Sequence, residues 1–185
     1  EQHDVLMGSI LGFRGGVRNH MLAIQRYSTH RVGLVPSDVL LKQLIKEQKQ
    51  QLFTKTIQNI GFNACRIVHT HAHPWMIRAC AETSNRRFKW IHTYHTLFFP
   101  EPWEGGLADW QQDTNEALVK LAPAADIRLS VARWVQAHLS SAYGIESIYI
   151  PNGVDVATCD AAAGDRFTQA TGLSNFVLFA SSIRS

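Results

Sequence analysis

The chain has 185 residues, 45% of them hydrophobic and 18% charged, which is typical of one compact globular domain and excludes a disordered or fibrous segment. Its formal net charge of +3 comes from scattered residues, so no nucleic-acid partner is expected, and no apolar run approaches the roughly 20 residues of a membrane span. Three cysteines without the spacing of a zinc or redox site, and the lack of a signal pattern, predict reduced thiols in a cytoplasmic protein.

Apolar runs of strand length alternate with amphipathic stretches of helix length, which predicts βαβ units. The first strand is predicted over residues 4–11, and a glycine-rich turn follows it at residues 12–16. A helix is then predicted with four residues on its buried face, namely Val17, Met21, Ile24 and Tyr27. A strand, a glycine turn and a helix in this order are typical of folds that bind nucleotides.

The same alternation continues along the chain. Five further strands are predicted, over residues 31–35, 66–70, 88–94, 127–131 and 147–150. Helices are predicted over residues 39–60, 76–83 and 132–143, and over 107–121 with Trp110 on the buried face. We therefore predict an α/β, Rossmann-like parallel sheet flanked by helices.

The composition changes after Asn152-Gly153-Val154-Asp155 to an alanine-rich segment, which an apolar run over residues 176–180 follows. We expect residues 1–156 to form an N-terminal domain and residues 157–185 to form a linker and the first strand of a second domain. The chain lacks an initial methionine and stops just after the apolar run. Both features favour a fragment of a longer protein.

Ligands of parallel sheets lie beyond the carboxyl ends of the strands, where turns present free N–H groups and helix N-termini. Gly15 and Gly16 fall at such an end and remove two side chains where a helix begins, so a phosphate or sugar could approach the backbone. A turn without a ligand would use glycine equally well. His73 follows another strand end and is a candidate for substrate binding.

Two further motifs have both a functional and a structural interpretation. His69, His71 and His73 alternate at a spacing compatible with metal ligands, but no Asp, Glu or Cys lies nearby, and a hydrogen-bonded core position is favoured for His69. Thr93-Tyr94-His95-Thr96 closes a strand with groups that suit a hydroxylated substrate, and strand capping does not account for His95. The aromatic loop at residues 97–103 is interpreted as a small core in preference to a sugar or lipid platform.

Taken in order, these motifs resemble the N-terminal domain of group 1, family 4 retaining glycosyltransferases of the GT-B fold. The resemblance extends from residue 4 to residue 155. Five segments carry it: Gly15-Gly16-Val17-Arg18-Asn19-His20, Val68-His69-Thr70-His71, Thr93-Tyr94-His95-Thr96, Ala125-Asp126 followed by Ser130, and Ile150-Pro151-Asn152-Gly153-Val154-Asp155.

The resemblance implies an acceptor-binding domain, with a C-terminal domain in the same protein binding the nucleotide-sugar donor. Gly15 and Gly16 would approach the donor diphosphate or the acceptor. Arg18 would contact the acceptor, and its fixed charge suits a phosphate or carboxylate. His95 would hydrogen-bond the transferred sugar as the catalytic residue, and Thr96 would lie on the acceptor side.

Retention in this family is described as a front-face displacement without a protein nucleophile, so the protein would position the reactants and stabilise the departing diphosphate. The resemblance implies no metal and no other cofactor. The acceptor would be a sugar, a lipid-linked sugar or a small anionic molecule. A lipid-linked acceptor would imply peripheral membrane contact through Phe98, Phe99 and Trp103. This part of the chain alone is expected to be inactive.

Two alternatives come from other classes of protein. A metal-dependent hydrolase would use His69, His71 and His73 as ligands and would purify with tightly bound zinc or manganese. A non-catalytic, Rossmann-like module would use the Gly15-Gly16 turn to bind a phosphorylated ligand.

Overall fold

The computed structural model describes residues 3–8, 16–35, 62–100, 106–161 and 165–173. Their strands are β1 (Val5–Gly8), β2 (Val32–Val35), β3 (Ile67–Thr70), β4 (Lys89–Tyr94), β5 (Ile127–Ser130) and β6 (Ile148–Tyr149). Their α-helices are α1 (Gly16–Tyr27), α2 (Pro74–Glu82), α3 (Asp109–Glu116), α4 (Arg133–Tyr143), α5 (Val156–Asp160) and α6 (Asp165–Thr171). The predicted helix over residues 39–60 and the apolar run over residues 176–180 lie outside the described residues.

The strands form one parallel sheet in the order β2-β1-β3-β4-β5-β6. Val5 of β1 is paired with Val32 on one side and with Ile67 on the other. The chain therefore moves outward from β1 to β2, returns past β1 to β3, and continues in the opposite direction. This reversal creates a topological switch point between the carboxyl ends of β1 and β3, where sheets of this class bind ligands. The predicted α/β, Rossmann-like parallel sheet is confirmed.

Helix α1 covers β1 and β2 through a small apolar cluster. Met21 is buried against Met7 and Val32, with Val17 and Ile24 packed at the margin. Tyr27, predicted on the same face, is 58% exposed, so this part of the prediction is wrong. Tyr27 is the last residue of the helix, and the Arg26 guanidinium lies over its ring at 5.2 Å from the centroid.

A larger core surrounds β3 and β4, where Val68, Trp90 and Tyr94 pack with residues of α2 and with Leu118. The predicted helix over residues 107–121 forms as α3 and a π-helical turn, Ala117–Leu121. Trp110 is 57% exposed and not on the buried face as predicted. It stands in the first turn of α3, where its ring meets the Phe98 ring edge-on, 5.0 Å away between centroids.

Local chemistry sets several element boundaries. Pro74 begins α2 because a proline lacks only an N–H that the first helical turn would leave unpaired. Helix α4 ends at Gly144, which has the left-handed φ of 64° that glycine adopts without strain. The helix α3 is tied to α2 by an ion pair between Arg78 and Asp113. Among the described residues, no helix is both long and apolar enough to cross a membrane, and the three cysteines are free.

The chain divides into two compact units, Glu1–Asn152 and Gly153–Ser185. All six strands belong to the first unit. The second unit contains α5 and α6, and the Asp155 carboxylate caps α5 by accepting a hydrogen bond from the Thr158 N–H at 3.1 Å. The assignment of residues 157–185 to a linker and a second domain stays a prediction.

Candidate functional site

Three histidines from three different elements meet beyond the carboxyl ends of β3 and β4. The Nδ1 atom of His71 and the Nε2 atom of His95 are 3.0 Å apart, so one ring donates a hydrogen bond to the other. The ring of His20 meets both rings edge-on, with centroids 5.5 Å from His71 and 5.1 Å from His95. These three residues are called the histidine cluster below.

The sheet itself brings the cluster together. His71 directly follows β3, and its N–H donates to the Gly8 carbonyl at the end of β1. His95 directly follows β4, which lies beside β3 in parallel register. His20 stands one turn inside α1, next to the buried Met21. The cluster therefore lies beside the switch point between β1 and β3.

Two histidines lie deeper, within the strands, and have structural partners. The His69 and Thr93 side chains form a 2.7 Å hydrogen bond between Nε2 and Oγ1. His92 Nδ1 and Thr70 Oγ1 are 2.8 Å apart, and the Trp90 indole donates to the same hydroxyl at 2.8 Å. The hydrogen-bonded core position predicted for His69 is confirmed.

The histidines whose ring nitrogens lie close together are not the three that were considered as metal ligands. Among the described residues, His20, His71 and His95 form the group whose ligand atoms all lie within 4.8 Å of one another. His69 is bonded to Thr93, and His73 stands at the N-cap of α2. Alternation along the sequence identified His71 but not its partners, because these come from other elements.

Burial keeps the histidine cluster uncharged at neutral pH. Burial and, to a smaller extent, the neighbouring His20 lower the pKa of His95 to about 4. The pKa of His71 lies well below its usual value, first because of burial and then because of the surrounding rings. Burial also lowers the pKa of His20, against a side-chain hydrogen bond with Asn152 that raises it. A neutral imidazole both donates and accepts, which suits recognition of hydroxyl groups.

The other predicted site residues surround this edge with different degrees of exposure. Gly16 begins α1, and Arg18 is exposed in its first turn. His73 is half-buried, and burial lowers its pKa to about 4. Thr96 is exposed, and its hydroxyl donates to the Leu97 carbonyl at 3.0 Å. Gly15 lies outside the described residues.

Gly16 stands in open space. A Cβ built on this residue meets no atom of the described residues within 4 Å, whereas a Cβ on Gly8 would lie 2.8 Å from Met76 Sδ. Packing of the described residues therefore favours a glycine at residue 8 and gives no reason for one at residue 16. A ligand that approaches the start of α1 would supply such a reason.

His20 and Asn152 belong to motifs of the sequence, but neither was predicted as a site residue. His20 follows Val17 by three residues, so it lies on the apolar side of α1, and a polar residue there was the available signal. Asn152 is exposed at the end of the first unit and bonds to His20. The contact between Asn152 and His20 depends on tertiary structure, so no pattern in the nearby sequence predicts it.

Two other motif residues have structural roles. The Asp126 carboxylate accepts the Trp90 N–H at 2.7 Å, at the opposite end of the sheet from the histidine cluster. Ser130 is buried, and its hydroxyl lies 2.7 Å from that of Ser147. The motifs therefore combine residues that stabilise the sheet with residues at the candidate ligand-binding edge.

Two residues of the aromatic loop after His95 belong to the core. Leu97 is buried, and Phe99 packs against the larger core, with its centroid 5.2 Å from that of His138. The Asn115 amide holds the backbone of Phe98 in both directions, at 2.9 and 2.7 Å. The core interpretation is confirmed for Leu97 and Phe99, while Trp103 lies outside the described residues.

A family model described as Glycosyltransferase Family 4 matches residues 15–158. The chain belongs to glycosyltransferase family 4. The match includes the whole histidine cluster and Asn152, and it confirms the resemblance to the N-terminal, GT-B type domain of this family. No curated protein matches the chain.

Proposed function

We propose that this family 4 domain forms the acceptor-side wall of a retaining glycosyltransferase, which transfers a sugar from a nucleotide-sugar donor to an acceptor. Family membership supports glycosyl transfer in general. The observation that carries the proposal is the placement of His95 at the end of β4, in a histidine cluster beside the switch point of the sheet.

His95 is the residue we assign to the transferred sugar. With a pKa of about 4, its ring is neutral at physiological pH and is a weak base, so it acts by hydrogen bonding and not by removing a proton. His71 restricts the ring through the 3.0 Å contact with Nε2. A ring fixed in this way orients a sugar hydroxyl without further loss of freedom, which lowers the entropic part of the barrier.

The start of α1 is assigned to charged groups of the substrates. Gly15 and Gly16 would let a diphosphate or an acceptor approach the positive end of the helix. The exposed Arg18 would hold an anionic group of the acceptor, and His73 and Thr96 would complete the acceptor side. Front-face displacement needs no protein nucleophile, so stabilisation of the leaving diphosphate is the main electrostatic contribution.

The remaining assignments are part of the same proposal. A second domain of the same protein would bind the donor, transfer would need no metal or other cofactor, and nucleic acid would not be a partner. The acceptor would be a sugar, a lipid-linked sugar or a small anionic molecule. The enzyme would act in the cytoplasm, and Phe98 and Trp103 would contact the membrane if the acceptor is lipid-linked, whereas Phe99 packs against the larger core.

The test is transfer and hydrolysis of UDP-, GDP- and ADP-sugars by the natural full-length protein, compared with His95→Ala. One donor should be turned over, and the variant should lose roughly 100-fold in kcat/KM with an unchanged melting temperature. His30→Ala is the matched control, because His30 is an exposed histidine in the turn before β2. Failure to turn over or bind any donor would refute the proposal in favour of a phospholigand-binding module.

A further inference from the structure

The histidine cluster has the dimensions of a metal site. One ring nitrogen from each of the three histidines lies within 4.8 Å of the other two, and the closest pair, His71 Nδ1 and His95 Nε2, is separated by 3.0 Å. Nitrogen ligands 2.0–2.1 Å from a tetrahedral zinc ion are about 3.3 Å apart. The observed spacing therefore brackets the spacing that zinc requires, and small ring rotations would close the difference.

The three rings are attached to well-anchored elements. The backbone of His71 is bonded to Gly8 at the end of β1, and His95 continues β4 in the middle of the sheet. His20 precedes Met21, which is 1% exposed and fixes α1 on the sheet. Little ordering entropy remains to be lost when three such side chains bind one ion.

Metal binding would not increase the number of unpaired buried atoms in the cluster. His71 is fully buried, and its Nε2 atom has no hydrogen-bond partner among the described residues, whichever of its nitrogens carries the proton. Coordination through Nδ1 would replace the hydrogen bond to His95 by metal bonds to both rings. Every buried group that is paired in the metal-free cluster would also be paired in the metal-bound cluster. Metal binding therefore adds no new desolvation cost.

We propose that His20, His71 and His95 bind a divalent transition metal ion that prefers nitrogen ligands, with Zn²⁺ as the representative ion. Three imidazoles leave a fourth tetrahedral position for water or a substrate oxygen. The cluster contains no carboxylate, so Mg²⁺ and Ca²⁺, which require oxygen ligands, are not expected to bind.

The bound ion inhibits transfer, a consequence that rests on the proposed role of His95 in sugar binding. The ion would replace the His71 contact at His95 Nε2 and would turn the ring away from the orientation that this contact fixes for a sugar hydroxyl. Zinc would therefore oppose sugar binding. Metal binding itself does not depend on the chain being a transferase.

Metal binding is tested on the natural full-length protein by equilibrium dialysis against Zn²⁺ and against Mg²⁺, with metal measured by mass spectrometry. One Zn²⁺ and no Mg²⁺ should bind per chain. His20→Gln and His95→Asn change residues that are not fully buried, and each should weaken zinc binding by roughly tenfold or more. His30→Gln, a change at the exposed control histidine, should leave the affinity unchanged.

Co²⁺ provides a spectroscopic test of the same site. Intense visible absorption, typical of four-coordinate Co²⁺, should appear with the unchanged protein and be lost in His20→Gln. No saturable zinc binding, or binding that persists in both cluster variants, would overturn the proposal.

The inhibition is tested separately, by titrating zinc into the transfer reaction and reversing its effect with a chelator. Inhibition of each protein is measured relative to its own metal-free rate. The zinc concentration for half-inhibition should be at least tenfold higher for His20→Gln than for the unchanged protein. Stoichiometric zinc binding in a protein that transfers no sugar would support the metal site while refuting the proposed function. If the protein binds zinc but zinc does not inhibit transfer, the assignment of His95 as a ligand of this site would be overturned.

Discussion

Histidines inside the sheet and histidines beyond its ends have different environments in this domain. His69 and His92 lie within β3 and β4, where each is hydrogen-bonded to a threonine of the neighbouring strand. His71 and His95 follow the same two strands and face each other. Inside the sheet the register fixes the partner of each ring, whereas beyond the strand ends a ring can reach side chains from other elements.

Under the proposed function, this difference separates the structural histidines from those of the candidate site. His92 also has an unpaired Nε2 atom among the described residues, but it is fully buried and lies 4.4 Å from the Tyr94 ring between centroids. His95 is partly exposed. An imidazole must be accessible to a substrate to bond with it, so under the proposed function His95 and not His92 contacts the sugar.

Acidification should give the largest effect, because buried histidines resist protonation. The pKa of His69 is about 3, far below its usual 6.5, because of burial. Between these values the unfolded chain binds a proton that the folded chain does not. Stability is therefore complete above pH 6.5 and is lost as the pH falls, by roughly 1.4 kcal/mol per pH unit for one such group.

Urea denaturation at several pH values between 8 and 5 measures this loss. His69→Gln removes one titrating group and should make the dependence less steep. His30→Gln, a change at an exposed side chain, is the matched control. A free energy of unfolding that does not change with pH would contradict the burial of these histidines.

His69→Ala should destabilise the domain by about 2–4 kcal/mol, since it leaves a cavity and an unpaired Thr93 hydroxyl. The corresponding change at the partly exposed end, His95→Ala, should cost less than about 1 kcal/mol while reducing transfer. Equilibrium denaturation and kcat/KM measured on the same samples distinguish the two. Equal losses of stability would remove the distinction between the inner and outer histidines.

Gly8→Ala tests packing inside the sheet with a single methyl group. The new Cβ would lie 2.8 Å from Met76 Sδ and 2.9 Å from the Val35 carbonyl oxygen. The methionine can move, but the backbone carbonyl can do so only with its strand. A loss of roughly 1–3 kcal/mol is expected, and a thermal melt that matches the unchanged protein would show that β1 accommodates the methyl group.

Gly16→Ala is the matched change beyond the sheet and should have the smallest effect on stability. Its Cβ meets nothing within 4 Å among the described residues, and alanine in a helix favours folding by up to about 1 kcal/mol. Under the proposed function KM for the donor or acceptor should nevertheless rise. Unchanged KM values for both substrates would show that no ligand approaches this residue.

The described elements could be predicted from the sequence largely because their signals are local. The strands and helices alternate in apolar runs that can be read over a few residues, and Pro74 and Gly144 set helix boundaries in the same local way. Six strands lie where they were predicted. The predicted burial of Tyr27 and Trp110 was wrong. Helical periodicity predicts which face of a helix a residue lies on, but not whether another element covers that face at that residue. Both side chains are more than half exposed.

The site could be predicted only in part. His71 and His95 were identifiable as residues that follow strands, but the partners of each ring were not. Alternation favoured His69 and His73 as companions of His71, whereas the structure supplies His20 from α1 and His95 from β4. The contact of Asn152 with His20 joins residues at opposite ends of the first unit.

The sequence by itself determined the parallel α/β fold, the family and the edge of the sheet that bears the candidate site, because period, turn chemistry and motif order are properties of short segments. The tertiary structure decided which histidines are sealed against threonines and which form a cluster. It did so because neighbouring strands and α1 bring together side chains that are far apart along the chain, and the distances between their nitrogens determine their chemistry.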